Sequence, residues 1–184
     1  MRKRALILFA MMIAALLYAQ DEEGLKRAYF AGGCFWGVEY YMEKLPGVKE
    51  VVSGFMGGHL KDPSYEDVVY KETGHFETVE VLYDPKKTSY ETLAKNFFEI
   101  HDFTQTNGQG PDIGKQYRSV LFYSDDKEKA VAAKLVDILT KKGYKVATMI
   151  KKADSFYKAE GYHQDYYERH GKLPYCHSYR KLFD

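Results

Sequence analysis

The sequence predicts an α+β fold, a two-layer α/β sandwich with helices packed on a mixed sheet and a ferredoxin-like core. Strand-like and helix-like segments alternate along the chain, which is the pattern of a sheet covered by helices. The chain has 184 residues, 45% of them hydrophobic, which is enough to bury one well-packed core but short for two. No repeat or linker interrupts residues 25–184, so we predict a single domain there.

The first half of this domain contains three predicted elements. Residues 26–31 have the pattern of a short strand, which the glycines that follow bring to an end. The apolar spacing over residues 35–44 predicts a helix that stops near Pro46. Residues 48–55 predict a second strand, after which further glycines open a loop.

The second half continues the alternation. Residues 77–83 alternate cleanly and predict a strand. Thr88 followed by Glu91 is a capping-box pattern, which predicts the start of an amphipathic helix. The same two periodicities predict a strand over 118–123, a helix over 125–142, a strand over 146–150 and a tyrosine-rich helix over 160–170.

The charge balance excludes several classes of function. With 27 basic and 26 acidic residues, the chain has no field strong enough to attract nucleic acid or an anionic membrane. Its six histidines are scattered rather than grouped at metal-ligand spacing, and its two cysteines cannot build a disulfide-rich scaffold. We therefore expect neither nucleic-acid binding nor a metal centre.

Residues 1–20 differ from the rest of the chain. Arg2, Lys3 and Arg4 precede fifteen uncharged, mostly apolar residues. A basic head followed by an apolar run of this length is typical of a secretory signal peptide. Because a membrane-spanning helix usually needs about 20 apolar residues, an uncleaved anchor is the second interpretation. We expect an exported protein, periplasmic or extracellular, in which removal of residues 1–20 leaves 24 basic and 26 acidic residues.

Cys34 lies between a glycine turn and the start of a predicted helix. The first amide groups of a helix lack internal partners and carry partial positive charge, which favours the nucleophilic thiolate. Phe35 and Trp36 follow directly, and two such aromatic side chains could form an apolar collar around the thiol. A half-buried structural cysteine with core aromatics is the alternative, because free cysteines are commonly buried.

The segment from Gly33 to Gly37 resembles the active-site signature of the A-type peptide methionine sulfoxide reductases. Further segments resemble motifs of that family, in the same order, over about residues 27–177. They are Pro-Ser-Tyr at 63–65, Thr-Gly-His-Phe-Glu at 73–77, Gly-Pro-Asp-Ile-Gly-Lys-Gln-Tyr-Arg-Ser at 110–119 and Tyr-His-Gln-Asp-Tyr at 162–166. Several ordered motifs are far more specific than any one alone, so the resemblance covers nearly the whole predicted domain.

The resemblance implies a role for each site residue. Cys34 would attack the sulfoxide sulfur, leaving methionine and a sulfenic acid. Phe35 and Trp36 would form the pocket for the S-methyl group. Glu77 would protonate the sulfoxide oxygen, which is a poor leaving group until it is protonated. Each of these residues also has an interpretation without a catalytic role. A glutamate on a strand, for example, is usually solvated.

Three further residues are carried over in the same way. Tyr65 and Tyr117 would donate hydrogen bonds to the sulfoxide oxygen, and Asp112 would position substrate or water. Their ordinary interpretations stand beside these roles. The chain has 17 tyrosines, most of which must serve in the core or at the surface, and an aspartate in a glycine-rich stretch is often a turn residue.

Cys176 lies near the end of the chain, where the family commonly places a resolving cysteine. There it would attack the Cys34 sulfenic acid and form a disulfide that a thioredoxin-like dithiol reduces. The glycine-rich tail that often follows is replaced here by residues 177–181, His-Ser-Tyr-Arg-Lys. A static structural disulfide is the alternative, and export would favour it.

The resemblance thus implies a monomeric enzyme that repairs oxidised proteins by reducing methionine-S-sulfoxide, free or in proteins, without metal or organic cofactor. Two other classes stay open at this point. A general thiol–disulfide oxidoreductase is weakly supported, because the chain has no Cys-x-x-Cys motif. An exported binding domain with a structural Cys34–Cys176 disulfide is the main alternative.

Overall fold

A computed structural model describes residues 24–183, so the predicted signal peptide at residues 1–20 lies outside the described residues. The described chain contains eight strands, five α-helices and one short 3₁₀ turn. The strands are β1 (Lys26–Ala31), β2 (Val48–Met56), β3 (Phe76–Tyr83), β4 (Gly108–Gln109), β5 (Asp112–Ile113), β6 (Val120–Tyr123), β7 (Met149–Lys152) and β8 (Tyr157–Lys158). The helices are α1 (Phe35–Met42), α2 (Tyr65–Tyr70), α3 (Tyr90–Ile100), α4 (Asp126–Lys141) and α5 (Tyr166–His170), and the 3₁₀ turn is Lys115–Tyr117.

Six of the strands form one mixed sheet in the order β7-β6-β1-β3-β2-β8. Only its β6–β7 pair is parallel, while the other neighbours are antiparallel. At its centre, β1 and β2 are joined by α1 and separated by β3, and β6 lies on the other side of β1. This is the split β-α-β arrangement of a ferredoxin-like core. The predicted fold class is therefore confirmed.

The main core lies between this sheet and the helices α1, α3 and α4. Its largest side chains are aromatic and fully buried, among them Phe30, Phe35, Phe55, Phe97 and Phe98. A smaller cluster around Met56 and Phe122 covers part of the opposite face of the sheet. None of the helices within residues 24–183 combines the length and the apolar character needed to cross a membrane.

Two predicted helix boundaries are wrong. The helix predicted from Thr88 and Glu91 is capped one residue later, because Ser89 Oγ accepts a hydrogen bond from the Thr92 amide at 3.1 Å. The last helix covers Tyr166–His170 and not 160–170. Asp165 has a φ of 53°, a left-handed conformation that an α-helix cannot contain, so the residues before it form turns.

Helix α2 was not predicted from the sequence, although its start carries a clear signal. Ser64 accepts a hydrogen bond from the Asp67 amide, and the Asp67 carboxylate accepts one from the Ser64 amide. This reciprocal pair is a capping box with aspartate in place of glutamate. It matters for the site because Tyr65, the first residue of α2, is one of the two tyrosines predicted to donate a hydrogen bond to the sulfoxide oxygen.

Candidate active site

The loop between β1 and α1 places Cys34 immediately before the first helical residue. Gly33 has a φ of 100°, and a Cβ atom there would lie 2.4 Å from the Gln109 Cβ atom. Glycine is therefore required both for the turn and for close contact with β4. The Cys34 side chain is buried within the large aromatic core.

Glu77 lies near the start of β3, on the buried side of the sheet next to α1. One of its carboxyl oxygens, Oε2, accepts a hydrogen bond from the Phe35 amide at 3.1 Å. Its side chain is 1% exposed, and this burial raises the pKa of Glu77 to about 8. The hydrogen bond from the Phe35 amide, which stabilises the ionised carboxylate, offsets only part of this rise. The carboxyl group is therefore protonated at neutral pH, as a proton donor to a sulfoxide oxygen must be.

Cys176 reaches the same place from the C-terminal segment and shares a hydrogen bond with Cys34. The pKa of Cys176 is lowered, first by the hydrogen bond from the Cys34 thiol and then by the contact with His177. The pKa of Cys34 is raised well above its usual range by Cys176, by burial and by Glu77. Cys176, burial and Glu77 therefore oppose the thiolate that the helix N-terminus favours on Cys34.

Aromatic side chains surround the thiol pair. The Phe35 ring is fully buried beneath it and lies 6.3 Å, between ring centroids, from both Trp36 and Tyr65. Trp36 is partly exposed and stacks on Tyr166 of α5, with ring centroids 3.7 Å apart. Its indole Nε1 donates a hydrogen bond to His163 Nδ1 at 3.1 Å. The two predicted pocket residues thus differ in exposure, because the Phe35 side chain is fully buried and the Trp36 side chain is partly exposed.

The predicted polar residues come together beside the pocket. A side-chain hydrogen bond links Tyr65 and Tyr117, and burial raises the pKa of both hydroxyls, that of Tyr65 to about 12. Both therefore remain proton donors across the physiological pH range. Asp112 of β5 accepts hydrogen bonds from the Tyr175 hydroxyl at 3.1 and 3.3 Å. Its negative charge also contributes to the raised pKa of Glu77.

Three residues that the sequence analysis assigned no role also shape the site. Gln109 Nε2 donates a hydrogen bond to the Cys176 carbonyl at 3.0 Å, and His163 positions Trp36. His177 contacts the Cys176 sulfur, with Nδ1 3.1 Å from Sγ. A histidine directly after a candidate reactive cysteine was a visible signal in the sequence, whereas the contacts of Gln109 and His163 depend on the fold.

A group of carboxylates between the end of α1 and the start of α5 is the one set of metal-type ligands found among residues 24–183. Oxygen atoms of Glu39, Glu43 and Asp165 lie within 4.8 Å of one another. Burial raises the pKa of Glu39 to about 8, and burial together with repulsion from Asp165 raises that of Glu43 to about 7. Protonation is therefore enough to relieve the repulsion within this group near neutral pH.

An α+β sandwich that brings two free thiols, a neutral carboxyl group and an aromatic pocket together defines the class of protein as a thiol-containing oxidoreductase. Comparison with known proteins identifies the family. The family described as peptide methionine sulfoxide reductase matches residues 26–183. A peptide methionine sulfoxide reductase of the A type from Methanosarcina mazei is 47% identical over 160 residues, covering 85% of this chain and 76% of that protein.

Solved structures give the same result. Mxr1 from Saccharomyces cerevisiae in its reduced form superposes with a TM-score of 0.79 and 35% identity, covering 86% of this chain and 93% of the yeast chain. The same yeast protein in complex with Trx2 superposes with a TM-score of 0.57 and 27% identity, covering 86% of this chain and 91% of that one. The chain belongs to the peptide methionine sulfoxide reductase family, and it is an oxidoreductase of the A type.

Proposed function

We propose that this enzyme reduces the S epimer of methionine sulfoxide, in oxidised proteins or free, through a Cys34 sulfenic acid and then a Cys34–Cys176 disulfide. The observation that carries the proposal is the contact of the two thiols beside the protonated Glu77 carboxyl group. Choice of the S epimer is expected from membership of the A type.

In the first step, Cys34 Sγ attacks the sulfoxide sulfur while Glu77 protonates the sulfoxide oxygen. The sulfur–oxygen bond of the substrate breaks, methionine leaves, and the oxygen remains on Cys34 as a sulfenic acid. The substrate sulfur is reduced by two electrons and the Cys34 sulfur is oxidised by two. The proton lost by the Cys34 thiol replaces the one that Glu77 gives, so the step needs no other reactant.

The surrounding residues support binding of a methionine sulfoxide side chain. Trp36 and Phe35 offer an apolar surface for the S-methyl group. The hydroxyls of Tyr65 and Tyr117 are hydrogen-bond donors without charge, which suits the polar sulfoxide oxygen. Asp112 lies close enough to influence Glu77, and it supports the proton donor by keeping its pKa high.

In the second step, Cys176 attacks Cys34 and water leaves. A dithiol protein of the thioredoxin type then reduces the resulting disulfide. The yeast relative solved in complex with Trx2 supports this choice of reductant. For the location we propose export to the periplasm or the exterior of the cell, on the basis of residues 1–20, and we propose that the enzyme acts as a monomer.

A single-turnover experiment without reductant tests the proposed function. Wild-type enzyme and C176S should each form one equivalent of methionine from the S epimer and none from the R epimer. C34S should form none while staying folded, as measured by circular dichroism. Methionine formation by C34S, or thermal destabilisation of C34S with no loss of turnover, would replace the proposal with a structural role for the cysteine pair.

A further inference from the structure

A buried histidine follows Cys176 and connects the two thiol-bearing segments. His177 Nδ1 lies 3.1 Å from Cys176 Sγ, and His177 Nε2 lies 2.7 Å from the carbonyl oxygen of Gly32. The ring is 4% exposed, so water does not compete for these two contacts. Both ring nitrogens therefore have a defined partner, one on each side of the site.

The partners fix which nitrogen of His177 carries the hydrogen. A carbonyl oxygen only accepts hydrogen bonds, so Nε2 must donate to Gly32. In a neutral imidazole with its hydrogen on Nε2, the Nδ1 atom has a free lone pair. That lone pair faces the Cys176 sulfur, and it can take the proton of the thiol while Nε2 keeps its bond to Gly32.

The ring also has no room to turn away. A Cβ atom on Gly37, in α1, would lie 2.1 Å from His177 Nδ1, so the helix passes directly against the ring. On the other side, Gln109 Nε2 holds the Cys176 carbonyl at 3.0 Å and fixes the backbone that carries both residues. These contacts hold His177 in place although its segment has no regular secondary structure.

We propose that His177 is a catalytic base that prepares Cys176 for attack on the Cys34 sulfenic acid. The inference rests on the proposed function, because it assigns a residue to the second step of that reaction. His177 removes the proton from the Cys176 thiol and becomes an imidazolium, which stabilises the thiolate until it reacts.

The atoms and electrons of this step balance within the site. A bond forms between the sulfur atoms of Cys176 and Cys34 as the sulfur–oxygen bond of the sulfenic acid breaks. The hydroxide that leaves Cys34 takes up the proton that His177 removed from Cys176, and it departs as water. The Cys176 sulfur loses one electron and the Cys34 sulfur gains one, so neither an external oxidant nor an external reductant is needed.

The other titratable groups around this pair do not take over the role. His101, at the end of α3, is buried, which lowers its pKa to about 3 and keeps it neutral. Its Nδ1 lies 2.6 Å from the Phe97 carbonyl, so its hydrogen is already engaged. From β3 the carboxyl group of Glu77 is protonated below about pH 8. From β5 the Asp112 carboxylate accepts from Tyr175, and its charge disfavours the thiolate.

The test compares His177→Asn with His170→Asn, a matched change at an exposed histidine. Asparagine places a polar atom near the Nδ1 position but cannot accept a proton at neutral pH. One turnover with methionine sulfoxide is quenched at intervals with a 1,3-dione trap for sulfenic acids and analysed by mass spectrometry. For H177N we expect methionine at the wild-type rate, accumulation of trapped Cys34, and disulfide formation slower by about 10²-fold at pH 7.

The pH profile separates a base from a structural residue. In H177N the rate of disulfide formation should rise with pH up to about 8.5, where an unassisted thiol ionises, and approach the wild-type rate there. In the wild type and in H170N it should be nearly constant over that range. An unchanged rate and an unchanged pH profile in H177N would overturn the proposal.

A second measurement keeps the inference separate from the proposed function. In a Cys34→Ser background, the rate of alkylation of Cys176 by iodoacetamide reports its thiolate without any turnover. Adding H177N should move the midpoint of its pH dependence upward by at least one pH unit, and adding H170N should not. If no variant formed methionine but this shift were observed, the proposed function would fail while the acid–base pairing of His177 and Cys176 would stand. No shift would contradict the inference.

Discussion

The two cysteines touch each other, but the regions that carry them are built differently. Cys34 lies between a central strand and a helix, in a loop that glycine shapes. Cys176 lies in a terminal segment without helix or strand, and side-chain contacts from Gln109 and His177 hold it in place. The regular region carries the protonated thiol, and the irregular region carries the thiol with the lowered pKa.

A helix N-terminus therefore does not by itself decide which of the two thiols ionises. The partial charge of a helix end is worth about 1 kcal/mol, and it competes here with burial, with Glu77 and with the second thiol. Cys176 has a hydrogen-bond donor in Cys34 and a second close partner in His177. The local partners of the two sulfur atoms therefore shift their pKa values in opposite directions.

The largest expected effect is that of a substitution at Glu77, which should slow the step at Cys34 but not the step at Cys176. Glu77→Gln keeps the shape and the bond from the Phe35 amide but cannot give a proton to the sulfoxide oxygen. We expect methionine formation to fall by about 10²- to 10³-fold, while disulfide formation from a preformed Cys34 sulfenic acid changes little. Rapid-quench single-turnover kinetics measures both steps.

The pH dependence of the same variant tests whether Glu77 is the proton donor. An acid at Glu77 would act only while protonated, and the pKa of Glu77 is about 8, so we expect wild-type methionine formation to stop rising and then to fall at alkaline pH. In E77Q the rate should keep rising with pH as the Cys34 thiol ionises. A wild-type alkaline decline that persists in E77Q would assign the proton to another group.

A second prediction concerns the contact between the regions. In Gly37→Ala the new methyl group would lie against His177 Nδ1, so we expect a loss of about 2 kcal/mol in the free energy of unfolding, together with slower disulfide formation. Gly161→Ala is the matched control, since nothing lies within 4 Å of that position. Urea unfolding should show a change within about 0.5 kcal/mol for G161A. Equal stabilities for the two variants would mean that the ring moves freely.

A third prediction compares two buried glutamates with similar pKa values of about 8, Glu77 in the site and Glu39 on α1. Each keeps its proton in the folded chain at pH values where the unfolded chain has lost it. The free energy of unfolding should therefore fall as pH rises from about 5 to 8, by about 1.4 kcal/mol per pH unit for each group. Glu39→Gln should remove its share of this slope and preserve turnover.

The control for this prediction is E77Q, which should flatten the slope similarly but lose turnover. Urea unfolding at several pH values gives the slopes. Parallel curves for the wild type and E39Q would show that Glu39 is ionised in the folded protein.

The smallest expected effect lies at the mouth of the site. Tyr175→Phe removes the hydrogen bond to Asp112 but leaves the Gln109 and His177 contacts of the terminal segment intact. Because the Tyr175 side chain is largely exposed, we expect disulfide formation to slow by no more than about threefold. A much larger effect in rapid-quench kinetics would mean that Tyr175, rather than Gln109 and His177, anchors the segment.

Much of this arrangement follows from the sequence, because its signals are local. The alternation over 77–83 and the glycines beside Cys34 correctly predict the strand that carries Glu77 and the turn between β1 and α1. Asp165 was wrongly predicted to lie within a helix, because its left-handed backbone depends on how the terminal segment packs. The effect of Cys176 on the Cys34 thiol could not be predicted for a related reason. Cys34 and Cys176 are 142 positions apart, and only the fold reveals that one donates to the other.

The most direct test of this account is peptide-mapping mass spectrometry of the enzyme after one turnover with methionine-S-sulfoxide and no reductant. If the two regions act in sequence, one equivalent of methionine is released and all of the protein carries a Cys34–Cys176 disulfide. Methionine release with both cysteines still present as thiols, or with Cys176 oxidised and Cys34 unchanged, would contradict it.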